Sequence, residues 1–161
     1  MLDQKLLLEL QDYIEEHSIR IFEELVIQQD MMSEPIRVDE LEDFIEITRK
    51  PSFREVLFSF IDRRKAVDSD VYKRAGIDRR HFSKIRSNPD YRPGKNTVIA
   101  LGIALELSRD ETDQLLSSAG YSLSENDTFD LVIQFFIAKK IYKIHDINQA
   151  LDYFNLKPLT R

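Results

Sequence analysis

Eleven consecutive residues, TVIALGIALEL (Thr97 to Leu107), place Val98, Ile99, Leu101, Ile103, Leu105 and Leu107 on every side of a helix rather than along one stripe. A helix that is apolar all round is stable in water only when other elements surround it. The segment therefore predicts a central helix, and the rest of the chain must supply its shell. That shell reads as amphipathic helices. Phe53, Val56, Leu57, Phe60 and Ile61 fall at i, i+3, i+4, i+7 and i+8 behind Ser52 and Glu55, a capping-box pair. Ser108 with Glu111 opens a further helix that Gly120 closes, giving an expected span from about Arg109 to Ala119. Phe129, Val132, Ile133, Phe136 and Ile137 repeat the core-facing spacing, and Asp146 with Gln149 starts a last helix carrying Ile147, Ala150, Leu151 and Phe154. No period-2 strand, internal repeat or low-complexity segment interrupts this pattern, so the expected fold class is all-α. Gly102 inside the central helix costs about 1 kcal/mol relative to Ala, and is read as allowing close helix approach.

The first fifty residues form a different kind of segment. They carry 5 basic and 14 acidic side chains, a net −9 in a chain whose total is −6. Leu6, Leu7, Leu10, Tyr13 and Ile14 mark one helical face from Asp3 onward, and Ile21, Phe22, Leu25 and Val26 continue it or begin a second. Pro35 breaks the pattern, and Asp39 followed by Glu42 resembles a cap before a short helix ending ahead of Pro51. The expected organisation is an acidic helical arm over residues 1–50, offering a seam for a homodimer, and a helical domain over 51–161. The chain has no cysteine, which excludes a disulfide framework, a cysteine-ligated zinc and a thiol nucleophile together. With no secretory leader pattern and no run of roughly 20 apolar residues, a cytoplasmic protein with no membrane partner is expected.

Positive charge is concentrated in one window. Residues 62–95 carry 11 basic and 5 acidic side chains, a net +6, the minimum footprint for a polyanion partner. Within it, Val71 and Ala75 can face a core from one short helix, Gly76 supplies a turn, and Ile77 plugs the space between helices. Asp78 caps a second helix anchored by Phe82 and Ile85. The outward positions form two rows: Arg79, Ser83 and Arg86 share one strip, and Arg80, Lys84 and Ser87 share its neighbour. Arginine suits guanine edges, and lysine and serine suit phosphates. Lys73 and Arg74 on the preceding helix, and Tyr91, Arg92, Lys95 and Asn96 after it, would hold the backbone of double-stranded DNA.

Residues 53–120 resemble the Cro and lambda-repressor (XRE) type of helix-turn-helix domain. The helix pair SDVYKRAGIDRRHFSKI carries the likeness through Val71, Ala75, Gly76, Ile77, Phe82 and Ile85, and the closing helices carry it through Leu101, Leu105, Leu107 and Leu115. The wider segment, with its tail FDLVIQFFIAKKIYKIHDINQAL, resembles a module of small bacterial proteins that also occurs fused behind other domains such as macro domains. The resemblance implies a lambda-repressor-like helix-turn-helix bundle with an N-terminal helical arm and two additional C-terminal helices, and it implies sequence-specific DNA binding in transcription regulation. Two positions depart from the pattern. Tyr72 stands where the family usually has a small alanine, implying a shifted crossing or a partly exposed ring. Asp78 replaces a serine that often helps contact the DNA backbone, and a carboxylate caps well but repels phosphate.

A rival reading uses the same scaffold as a non-catalytic interaction module, its basic face meeting an acidic protein partner or the chain's own acidic arm. Catalysis has little to stand on. His17, His81 and His145 are dispersed without metal-ligand spacing, there is no G-x-S-x-G elbow, and the four glycines cannot form a phosphate loop. No enzyme activity, cofactor or metal is expected. His81 reads as a polar surface residue, the many acids as caps and solvated faces, and Tyr121, Phe135, Phe136, Tyr142, Tyr153 and Phe154, by helical spacing, as core.

Overall fold

The computed structural model describes residues 4–16 and 35–160, all helix, turn and extended linker, with no strand among them. The chain divides into two units, Met1–Arg49 and Lys50–Arg161. In the first unit, α1 is helical over 4–16 and α2 spans Val38–Thr48. Leu6, Leu7, Leu10, Tyr13 and Ile14 lie on α1 as the spacing predicts, and all are exposed. Ile21, Phe22, Leu25, Val26 and His17 fall outside the described residues. The expected cap at Asp39 is corrected: the N-cap lies two residues earlier, at Arg37, which makes no side-chain cap bond. Asp39 and Glu40 sit in the first turn instead, where a carboxylate offsets the positive end of the helix dipole.

The second unit contains α3 (Phe53–Arg63), α4 (Asp68–Arg74), α5 (Arg79–Ser87), α6 (Lys95–Ala104), α7 (Arg109–Ser118), α8 (Thr128–Ala138) and α9 (Ile144–Tyr153). α6 is the central helix that the sequence demands: every residue from Val98 to Ala104 is buried. α4 and α7 pack against it, α3 packs on α7, and α8 and α9 form a hairpin joined to the bundle through α7. Leu57, Ile85, Ile99, Leu101, Leu115, Ile133, Ile147 and Leu151 are at 0% exposure, and each such side chain contributes roughly 1.5–3 kcal/mol by leaving water. α6 ends at Ala104, three residues short of the expected apolar run. Leu105 and Leu107 stay buried in the turn that follows.

One device ends most of these helices. Lys65, Gly76, Glu106, Gly120, Lys140 and Asn155 adopt φ between 51° and 81°, and the next residue's N–H then returns to a carbonyl in the last turn, as in Ala66 to Ile61, Ile77 to Tyr72, Leu107 to Gly102 and Ile141 to Phe136. This satisfies carbonyls that the helix end leaves unpaired. At the other ends, Ser108 and Glu111 form both halves of the expected box. Ser52 forms the hydroxyl half, accepting from Glu55 N–H at 3.3 Å. α9 starts at Ile144 behind Lys143, with no side-chain cap, so Asp146 lies in its first turn and does not precede it.

Gly102 and three aromatics also differ from expectation. A Cβ added at Gly102 would meet Thr112, Leu107 and Leu115 side-chain carbons at 3.8–3.9 Å, ordinary contact distance, so no close approach requires glycine there. Phe136 is buried, and Tyr121 and Tyr142 are partly buried against the core. Phe135, Tyr153 and Phe154 are 56%, 81% and 51% exposed and are not core. Their helical spacing is real, but it places them on the outer side of the α8–α9 hairpin. No helix among the described residues is long and apolar enough to cross a membrane.

Candidate nucleic-acid interface

α4 and α5 are held to the core from beneath. Val71 and Ala75 bury one side of α4, the chain turns at Gly76 with φ 68°, Ile77 inserts below, and Phe82 and Ile85 anchor α5. Asp78 caps α5 by accepting the Arg80 backbone N–H at 3.3 Å. Tyr72 is partly buried, its ring 5.6 Å from that of Phe82 at 45°. Because α5 turns Phe82 and Ile85 inward, helical geometry turns Arg80, Ser83 and Lys84 outward and sets Arg79 and Arg86 on the flanks, and all five are exposed.

These basic residues fall into two groups. Among the described residues, Arg79, Arg80, Lys73 and Arg74 take part in no ion pair. Lys73 and Arg74 occupy the last turn of α4, where they offset its dipole. The others are braced. Arg86 pairs with Asp68 across the α4–α5 angle and stacks 5.3 Å over the Phe58 ring. Lys84 sits 4.6 Å over the Tyr91 ring. Asp78 and Asp90, which flank α5 in the sequence, form no ion pair with its arginines or lysine among the described residues.

The loop after α5 is tied down residue by residue. Tyr91 Oη and His81 Nε2 lie 2.9 Å apart, so His81 is partly buried against this loop rather than a surface residue. Arg92 stacks 4.7 Å over Tyr121, whose hydroxyl donates to the Pro93 carbonyl at 3.0 Å. Lys95 donates from Nζ to Asp130 Oδ2 at 2.8 Å, and the Ser124 N–H donates to the same oxygen at 2.7 Å. Asp130 is 1% exposed, which corrects the reading of the acids as caps and solvated faces. Its position three residues after the capping Asp127 is the only trace in the sequence, and that spacing equally fits a first-turn acid. Asn96 is exposed in the first turn of α6, behind Gly94, an N-cap without a side chain.

Two shifted ionisations lie elsewhere in the bundle. Glu111 is held below the usual carboxylate range first by its hydrogen bond from the Ser108 backbone N–H at 3.0 Å, with Arg64 at 2.9 Å adding to this against partial burial. Tyr142, which donates to the Leu107 carbonyl at 3.2 Å, is raised by burial and then by the charge of Glu106. Neither adjoins α5. The described residues contain no group of three or more acids and histidines placed to hold a metal.

Compared with known protein families, curated proteins and solved structures, the chain matches none.

Proposed function

We propose that the chain is a sequence-specific DNA-binding regulator of transcription in which α4, the Gly76 turn and α5 act as a helix-turn-helix. One observation carries the reading: α5 is fixed to the core by Phe82 and Ile85 while its opposite side presents Arg79, Arg80, Ser83 and Lys84 to solvent. α5 enters the major groove with Arg79, Arg80 and Ser83 toward base edges. Lys73, Arg74 and Asn96 take phosphates on either side. Lys84 and Arg86 keep their braced geometry at the edge of the groove, and Tyr91, Arg92 and Lys95 act chiefly by holding the loop in register.

The test is fluorescence anisotropy with duplex genomic fragments that include the chain's own promoter. If Lys73 and Arg74 each displace one counterion from a phosphate, affinity falls about 12-fold for a fourfold rise in salt. The pair Arg79→Glu with Arg80→Glu abolishes binding and leaves the melting temperature unchanged. Absence of binding at low salt refutes the proposal, as does binding indifferent to that pair. A second reading, docking to an acidic protein surface, is favoured by Asp78, whose carboxylate occupies the N-terminus of α5 where a phosphate would otherwise approach.

A further inference from the structure

The outer side of the α8–α9 hairpin holds an open apolar groove of about 450 Å³. Val132, Phe136 and Ala150 form its floor, and Leu131, Phe135 and Phe154 rise around it at 45%, 56% and 51% exposure. Tyr153 stands beside it at 81% exposure, its ring 5.1 Å from that of Phe154. At roughly 200 Å² for a whole aromatic side chain, the exposed fractions of Phe135, Tyr153 and Phe154 leave roughly 380 Å² of ring surface in water. A patch of that size is comparable to the largest on an ordinary monomer, and such patches are often functional.

Charge along the hairpin is polar in the literal sense. At the α8–α9 turn stand Lys139, Lys140 and Lys143, all exposed, with no acid before Asp146. At the opposite end, ahead of α8, stand exposed Glu125 and Asp127. A surface with an apolar middle, a cationic end and an anionic end is complementary to itself when turned by a two-fold axis. Each lysine end then meets the acidic end of the other copy, and Leu131 and Phe135 of each fill the other's groove.

We propose that this face is the site where a second copy of the chain docks, in a two-fold dimer built on α8 and α9. The aromatic surface, together with Leu131, Ile141 and the lysine stems, approaches the roughly 800 Å² per partner of a standard interface. The proposal does not depend on whether α5 reads DNA.

Sedimentation velocity of the full chain from low to several hundred micromolar is the test. A concentration-dependent monomer–dimer equilibrium is expected. Phe135→Glu, on an exposed side chain, weakens it at least tenfold without lowering the melting temperature. Lys139→Glu alone and Glu125→Lys alone each weaken the dimer, and the two together restore it, because the inverted ends again complement one another. A chain that stays monomeric throughout overturns the proposal, and so does a dimer untouched by Phe135→Glu. So too does a dimer broken only by Phe44→Glu in α2, which places the seam on the acidic arm. Failure of the charge swap to rescue overturns the two-fold arrangement.

Discussion

Replacing Lys95 with Ala removes the cationic partner of Asp130, and the structure sets the size of the loss. Asp130 is 1% exposed and Lys95 32%. Oδ2 of Asp130 accepts from Lys95 and from Ser124 N–H, and Oδ1 is buried without a hydrogen-bond partner among the described residues. In Lys95→Ala the carboxylate keeps the Ser124 donor and loses the cation that pairs with it. Breaking a buried pair in this way costs about 3 kcal/mol, toward the low end for such changes because the Ser124 bond survives. Asp130→Asn is milder. The Asn carbonyl still accepts from Ser124, and Lys95, a third exposed, turns to solvent, so only a charge-assisted hydrogen bond is lost, about 1.5 kcal/mol. Urea unfolding followed by circular dichroism measures both, and the combined variant gives a coupling energy between them. The reasoning is refuted if Asp130→Asn is as destabilising as Lys95→Ala, or if Lys95→Ala costs under about 0.5 kcal/mol.

Three further outcomes follow from particular residues. Gly102→Ala stabilises the bundle by about 1 kcal/mol and raises the melting temperature by about 4 °C, since the added Cβ finds only ordinary contacts; a loss of stability in a thermal melt would show that α6 and α7 need the glycine. Glu106→Gly relieves a non-glycine φ of 54° and stabilises by up to about 1 kcal/mol, and by removing a charge that raises Tyr142 it brings that phenol's ultraviolet titration down toward its ordinary value. Glu111→Gln changes the acid limb of stability. Because the folded-state pKa of Glu111 is depressed, its contribution is present above the unfolded value near 4.3 and is lost as pH falls through the folded one. The variant therefore shows a shallower decline below about pH 4 in acid titration by circular dichroism.

Much of the bundle was legible because its signals are local and periodic. The spacing of Phe53 through Ile61 and of Phe129 through Ile137 marks a buried face without reference to anything distant, and Ser108 with Glu111 names a helix start from four adjacent residues. The anchors of α5 were equally visible. Helix ends were less so. Lys65, Glu106, Lys140 and Asn155 take the left-handed conformation that glycine would advertise, so the chain stops a helix there with no compositional mark, and α6 ended before its apolar run did.

By itself, then, the amino-acid sequence determined an all-helical chain with a core-wrapped central helix, an acidic first segment, and a basic window carrying a helix pair joined at Gly76. Only the tertiary structure decided which cations are free to meet a partner. Arg86, Lys84, Arg92 and Lys95 are taken by Asp68, Tyr91, Tyr121 and Asp130, whereas Arg79 and Arg80 keep open faces. It likewise decided that Phe135 and Phe154 face water while Phe136 does not. The physical reason is the same in each case. Periodicity reports that a side chain shares a face with its neighbours, but which face is covered, and which charge is within reach of another, depends on segments as far as 47 residues away along the chain, as between Arg64 and Glu111.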